Sequence, residues 1–422
     1  MLRDFFPRRL LQWLGPLVAA GAVAFAVAVL VGVTGVFNLA ATTPHPQGWA
    51  SFLHFTFRRS VAFHASDIAP PADLASPARI AVGAAHYANV CANCHGAPGT
   101  GQSPIALAMT PRPPYLPAQI VGAKDPNLFW ILKHGVKYSA MPGWPTQSRD
   151  DEIWSMVAFI RTLPKLNYAG YRKLAFGDRV ERSLPALDFG DAPALRRYVS
   201  FNSEIPQGNI NRYLTPATGP DSFAQDNNPL PTCARCHGAA GTGRVVGWFP
   251  NIAIQTPQYL RQTLTAYASG QRHSAFMQTV AAQLSPAQID ALASYFASLP
   301  KAKSLAATAL PLPPGFVALG EEIAERGIRD RGIGACSGCH ALTASDVRVY
   351  PRLRGQNADY MIQQMRLFRG GGRGSVGHYN PMAQVAAKLS NREIIAVSAY
   401  YAAQTPTDAP VAAADGALVK AR

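Results

Sequence analysis

A chain of 422 residues that is 48% hydrophobic can build roughly two to four separate cores, and its formal charge of +15 calls for an anionic partner. Nucleic acid is the ordinary guess for such a charge, yet no basic helix or basic-aromatic strand pattern supports it. All six cysteines fall in one repeated motif, so none is left over to complete a zinc site.

In chain order, Arg3, Arg8 and Arg9 lead into a stretch with no charged residue until Arg58. Within it Leu14–Phe37 is almost wholly apolar over 24 residues, about 36 Å of helix and enough to cross a bilayer. A secretory signal has a shorter apolar region, roughly 7–15 residues, although Leu39-Ala40-Ala41 imitates a cleavage site and keeps removal open. Arginines ahead of the span place the N-terminus in the cytoplasm and the rest of the chain outside. The expectation is a single N-terminal span in a bacterial inner (cytoplasmic) membrane, residues 1–40, with everything beyond it in the periplasm. Residues 41–77 read as an interfacial segment, with Trp49, Phe52, Leu53, Phe55, Phe57 and Phe63 around Arg58-Arg59. A docking helix for a partner subunit is the alternative there.

Three copies of C-x-x-C-H follow: Cys91-Ala92-Asn93-Cys94-His95, Cys233-Ala234-Arg235-Cys236-His237 and Cys336-Ser337-Gly338-Cys339-His340. Scattering these cysteines and histidines at random gives about 0.002 copies, so composition does not explain them. Two thiols at this spacing form thioethers to haem vinyl groups, and the adjacent histidine then reaches the iron. The expected cofactors are three covalently attached haem c groups, with His95, His237 and His340 as iron ligands. Their propionates offset roughly six positive charges, leaving a moderately basic surface suited to anionic lipid or an acidic protein patch.

Each motif opens a helical module, at 78–165, 220–302 and 315–405. Linkers cover 166–219 and 303–314, and a tail covers 406–422. Helices close the modules behind a serine with an acid or amide three residues on: Ser148 with Asp151, Ser285 with Gln288, Ser390 with Glu393. Apolar residues at helical spacing then follow, and Pro164 and Pro300 end the first two. The second and third modules are an internal repeat. Pro250, Gln255, Tyr259, Gln262, Leu264, Gly270 and Arg272 correspond to Pro351, Gln356, Tyr360, Gln363, Met365, Gly371 and Arg373. Opening helices are expected over Ala78–Val90 and Phe316–Arg326. The second module has Pro229 and Pro231 just before Cys233, so its opening helix is displaced or lost and the long linker is expected to complete the core. That linker also holds a possible short helix from Pro193 to Tyr198.

A sixth iron ligand from methionine makes a relatively high-potential electron-transfer site. Met277 is the sole methionine between His237 and the third motif, and the repeat then points to Met382. Met141, before Pro142, is the choice in the first module, with Met109 as rival and Met156 inside the closing helix. Met361 and Met365 read as core packing. Proline carbonyls are candidates to fix the imidazoles: Pro250, Pro351, and one of Pro111, Pro113 and Pro114. His134 is the alternative ligand worth testing.

The chain resembles tandem class I c-type cytochrome domains, on the C-x-x-C-H motifs, the downstream methionines and the aromatic closing helices. Pro351-Arg352-Leu353-Arg354-Gly355-Gln356 with Tyr360 is similar to two-domain cytochromes that pass electrons to terminal oxidases. Phe57-Arg58-Arg59-Ser60-Val61 and Gly96-Ala97-Pro98-Gly99 resemble membrane-bound multihaem cytochromes of respiratory chains. The resemblance implies an all-α fold: three tandem helical domains after a transmembrane helix, each opening helix crossing its closing one. It implies a non-enzymatic relay on the periplasmic face, taking electrons from a quinol-oxidising complex or soluble cytochromes towards a terminal oxidase. The alternative is the cytochrome subunit of a periplasmic alcohol, aldehyde or sugar-acid dehydrogenase. Such subunits usually follow the motif with Thr and anchor near the C-terminus, whereas Gly96, Gly238 and Ala341 stand here and the apolar span is N-terminal.

Overall fold

A computed structural model describes residues 8–36, 38, 40, 43, 48–99, 101–177, 229–305, 312–340, 350–373 and 380–406. Every regular element among the described residues is helical, and no strand occurs among them beyond the isolated bridge of Ile328 with Ile333. The helix Arg8–Thr34 contains a stretch, Trp13–Thr34, long and apolar enough to cross a membrane, and none of it is buried in the protein. A second helix follows over Trp49–His64. The chain divides inside that helix into two compact units, Met1–Arg59 and Ser60–Arg422, and the haem motifs all lie in the second.

The first module opens with helix Pro77–His86, where Ser76 accepts a hydrogen bond from the Arg79 N–H and Pro77 occupies the first turn. A π-turn over Tyr87–Cys91 and a short helix Ala92–His95 carry the motif. The closing helix Asp150–Thr162 is buried on all sides from Glu152 to Ile160. An all-round apolar run such as Ile153, Trp154, Met156, Val157, Phe159 and Ile160 is what a fully enclosed helix needs. Opening and closing helices cross at Gly83, where a Cβ would lie 2.0 Å from the Ser155 carbonyl oxygen. The third module repeats the device. Helix Phe316–Arg326 meets closing helix Asn391–Ala403 at Gly320, where a Cβ would lie 2.1 Å from the Ala396 oxygen.

Two closing helices carry the expected capping box, Ser285 with Gln288 and Ser390 with Glu393, each with both reciprocal bonds present. The first does not. It starts at Asp150, and the residue in the cap position is Arg149, whose side chain makes no capping bond. The Arg149 guanidinium instead pairs with Asp151 and Glu152, which withdraws the acid that Ser148 needs. Beyond the 165 boundary, helix Tyr168–Phe176 buries Tyr171 and Ala175 in the first module's core. The possible helix over Pro193–Tyr198 lies outside the described residues.

The described part of the second module starts at Pro229 and passes at once into the motif helix Leu230–His237. Residues of the first module cover it. Ala81, Val82 and Ala85 of the opening helix pack on Phe249, with Cys236, Trp248 and Phe276 around them. The start of the linker contributes as well: Arg235 stacks on Phe176 at 4.7 Å, and Arg244 donates to the carbonyls of Lys173 and Leu174.

The second and third modules meet through a two-fold exchange. The Gln356 amide accepts from the Asn251 N–H at 2.7 Å and donates to the Asn251 carbonyl at 2.9 Å. Gln255 does the same at Arg352, with both bonds 2.9 Å long. The repeat therefore builds its own dimer-like interface.

Candidate cofactor sites

Each motif histidine sits at the end of its short helix and turns Nδ1 to a proline carbonyl. His95 reaches Pro114 at 3.0 Å, His237 reaches Pro250 at 3.1 Å, and His340 reaches Pro351 at 2.9 Å. Among the three prolines considered in the first module, Pro114 takes the role. A carbonyl only accepts, so Nδ1 carries the proton and Nε2 keeps its lone pair. Burial lowers the pKa of all three imidazoles, against the smaller raising effect of the carbonyl bond. A neutral ring with a free Nε2 is the form that binds a metal.

The thiols have matching chemistry. Burial pushes Cys91 and Cys233 up to about 12 and Cys336 to about 11, with Cys236 also raised. Such thiols stay protonated, unlike the depressed thiolates of redox or zinc sites, and an apolar surrounding suits a vinyl-bearing ring.

A cavity of about 720 Å³ runs between the second and third modules, and His86, Arg149 and Glu152 of the first module line it as well. Cys233, Cys236, His237 and Met277 line one part of it, and Cys336, Cys339, His340 and Met382 the other. Its walls are largely apolar, yet Arg272 and Arg373 both face it, Arg272 donating to the Tyr360 hydroxyl at 3.2 Å. Guanidiniums set in an apolar wall suit the carboxylates of a haem. The residues present therefore fit covalent haem.

Met277 lies in helix Ala275–Ala281, whose cap residue Ser274 accepts from the Met277 N–H. Met382 lies in helix Pro381–Lys388, capped by Asn380. His95 and Met141 are not among the residues lining this cavity. Met141 packs half-buried against the first core, and its carbonyl accepts from the Val136 N–H at 3.0 Å. Among the other methionines, Met156 is fully buried in the closing helix, and Met361 is buried in the third core although it and Met365 also touch the cavity. His134 turns its ring to Trp130 at 5.1 Å, and His64 meets the same indole at 5.6 Å.

Several residues at these sites carry no sequence signal. Glu152, only 1% exposed, accepts from the Ser274 hydroxyl at 2.6 Å and the Ala275 N–H at 2.8 Å across the module boundary. His86 packs against Trp144 and Phe276 beside the second site. No periodicity or motif marks either residue, because both act on a module distant in sequence.

Residues 78–160 match the family model described as cytochrome C oxidase, cbb3-type, subunit III, and residues 217–300 match cytochrome c. The thiosulfate dehydrogenase electron acceptor of Thiomonas intermedia is 36% identical over 187 residues, covering 44% of this chain and 84% of its own length. Cytochrome c4 of Pseudomonas aeruginosa is 34% identical, over 40% of this chain and 81% of its own. The solved structure of reduced recombinant cytochrome c4 from Pseudomonas stutzeri is 31% identical, with a TM-score of 0.35, and covers 41% of this chain and 93% of that one.

Proposed function

Because the chain belongs to the multihaem c-type cytochromes, a family of electron-transfer proteins, we propose that it holds three haem c groups and relays electrons in the periplasm towards a terminal oxidase. The observation that carries this reading is the threefold recurrence of a motif histidine with Nδ1 on a proline carbonyl. Cys91 and Cys94, Cys233 and Cys236, and Cys336 and Cys339 attach the rings. His95 with Met141, His237 with Met277, and His340 with Met382 would hold the three irons. Bound haem supplies an iron that gains and loses one electron with little rearrangement. The protein's part is to hold each imidazole neutral and oriented, to keep water from the apolar cavity, and to set the guanidiniums of Arg272 and Arg373 at its wall. It acts as a carrier with no substrate chemistry of its own.

The N-terminal helix is the anchor in this reading, with its arginine-flanked end in the cytoplasm. On helix Trp49–His64, Trp49, Phe52, Phe55 and Phe63 are exposed while Val61 is buried, a distribution that suits the headgroup layer.

A dehydrogenase partner is the second reading, favoured by the relative named thiosulfate dehydrogenase electron acceptor, whereas the oxidase-subunit model over 78–160 favours the first. Haem quantified per chain by alkaline pyridine difference spectra is expected to give three, and two would defeat the count. Purification from native membranes in mild detergent then separates the readings: a co-purifying oxidase supports the relay, and a dehydrogenase replaces it.

A further inference from the structure

We infer that the second site is assembled by two modules, with Glu152 of the first acting as a positioning residue for Met277 of the second. This rests on Met277 being the axial ligand. Every residue from His273 to Gln278, except Met277 itself, is engaged by the first module. Arg149 donates to the His273 carbonyl at 2.7 Å, and the Ser148 hydroxyl lies 3.4 Å from the His273 ring nitrogen Nδ1. Glu152 accepts from Ser274 and from the Ala275 N–H, one carboxylate oxygen to each. The Phe276 ring lies against His86 at 4.5 Å and Trp144 at 6.0 Å. The Thr146 hydroxyl donates to the Gln278 side-chain oxygen at 2.8 Å.

Glu152 is itself fixed from its own module. Arg149 pairs with it at 2.9 Å and the Trp144 indole N–H points to it at 3.4 Å. Four donors converge on a carboxylate with 1% exposure, so its geometry leaves little freedom. The Ser274 hydroxyl that Glu152 holds is the same one that accepts from the Met277 N–H, so the chain Glu152, Ser274, Met277 is continuous. The third module does this differently. There Asn380, within the same module, accepts from the Ala383 N–H and donates to the Arg373 carbonyl. Among the described residues, the methionine helix of the second site is thus held from outside its module, and that of the third from inside.

The test uses the full haem-loaded chain and reads the methionine-to-iron(III) charge-transfer band and carbon monoxide binding by the reduced protein. Met277→Ala is the reference and is expected to remove the share of the band belonging to one site. If it does not, the ligand reading fails and the Glu152 contact is not what failed. Given that loss, Glu152→Ala is expected to weaken the same share and raise carbon monoxide affinity at one site about tenfold or more, with haem content unchanged. Glu152→Gln, which keeps the shape, is expected to recover part of the band. Ser274→Ala combined with Glu152→Ala should fall short of the sum of the two, because one bond is common to both. An unchanged band and affinity in both Glu152 variants would overturn the inference, as would fully additive effects. Ser274→Ala alone, which cuts the same chain at its middle and leaves Glu152 its other donors, serves should Glu152→Ala fail to fold, and an unchanged band and affinity there would overturn the inference.

Discussion

Gln255 and Gln356 show what a single side chain contributes at the junction of the second and third modules. Each is buried, and each closes a ring by donating to and accepting from one backbone unit, at Arg352 and Asn251 respectively. Truncating either to alanine removes both bonds to that backbone unit, a cost of about 2 kcal/mol. Gln255→Ala is therefore expected to lower the denaturation midpoint without changing its denaturant dependence, and Gln356→Ala to lower it further, because Gln356 also accepts from the Asn357 N–H at 2.9 Å. The repeat marks both glutamines, yet their partners differ in type. Because the bonds reach backbone atoms, the partners' identities are free, and no sequence pattern reveals the pairing. His86 carries a different consequence. Enclosed between Trp144 and Phe276, it is pushed by desolvation from 6.5 down to about 3. An unfolded chain protonates this histidine near its ordinary pKa, while the folded one stays neutral until about 3. Between those values the unfolded state binds more protons, so stability falls as pH is lowered through the window and is level above it. His86→Phe keeps an aromatic ring and is expected to remove a slope of up to about 1.4 kcal/mol per pH unit, read from denaturation midpoints across the window.

At the scale of elements, helix crossings and caps differ in how far they can be read. Opening and closing helices follow from apolar spacing, but the crossing point does not: Gly83 and Gly320 look like helix-weakening glycines until the partner backbone is seen. Gly83→Ala puts a methyl within 2.0 Å of the Ser155 oxygen, so the gain in helix propensity is outweighed by separation of the two helices. A net loss of about 1–3 kcal/mol is expected, with thermal unfolding monitored by circular dichroism as the check. Gly320→Ala should cost a similar amount, since its closest contact is 2.1 Å. The closing helices teach the converse. Ser285 and Ser390 cap as their spacing predicts, but Ser148 is displaced because Arg149 recruits the neighbouring acids towards the second module. A local motif holds where only local groups compete, and yields where a buried tertiary contact offers more. The motif helices of the sites are legible because cysteine and histidine spacing is local. The Glu152 contact to Ser274 spans 122 residues, and nothing near either residue announces it.

Across the whole molecule, the count of modules can be read from the chain but the faces that join them cannot. The repeat marks Gln255 and Gln356 but not that both copies meet at one interface, and the first module's cover over Cys236 and Phe249 has no repeat to suggest it. Net charge, by contrast, is a property of the sequence alone. The polypeptide carries +15, and three haems bring that down by roughly six, so the surface remains positive. A positive surface raises the local concentration of anions and repels cations over a Debye length, about 8 Å at physiological salt. Oxidation of the reduced protein by ferricyanide is therefore expected to be faster than driving force alone predicts, and oxidation by a cationic cobalt complex slower. Raising the salt should slow the first and speed the second, so that the rates converge. Stopped-flow traces at several ionic strengths check this, and the sign of each salt slope decides it. Slopes of one sign for both reagents would mean that the charge at the exchanging edge differs from that of the whole chain. An acidic partner would then dock elsewhere, because steering acts at the approaching face.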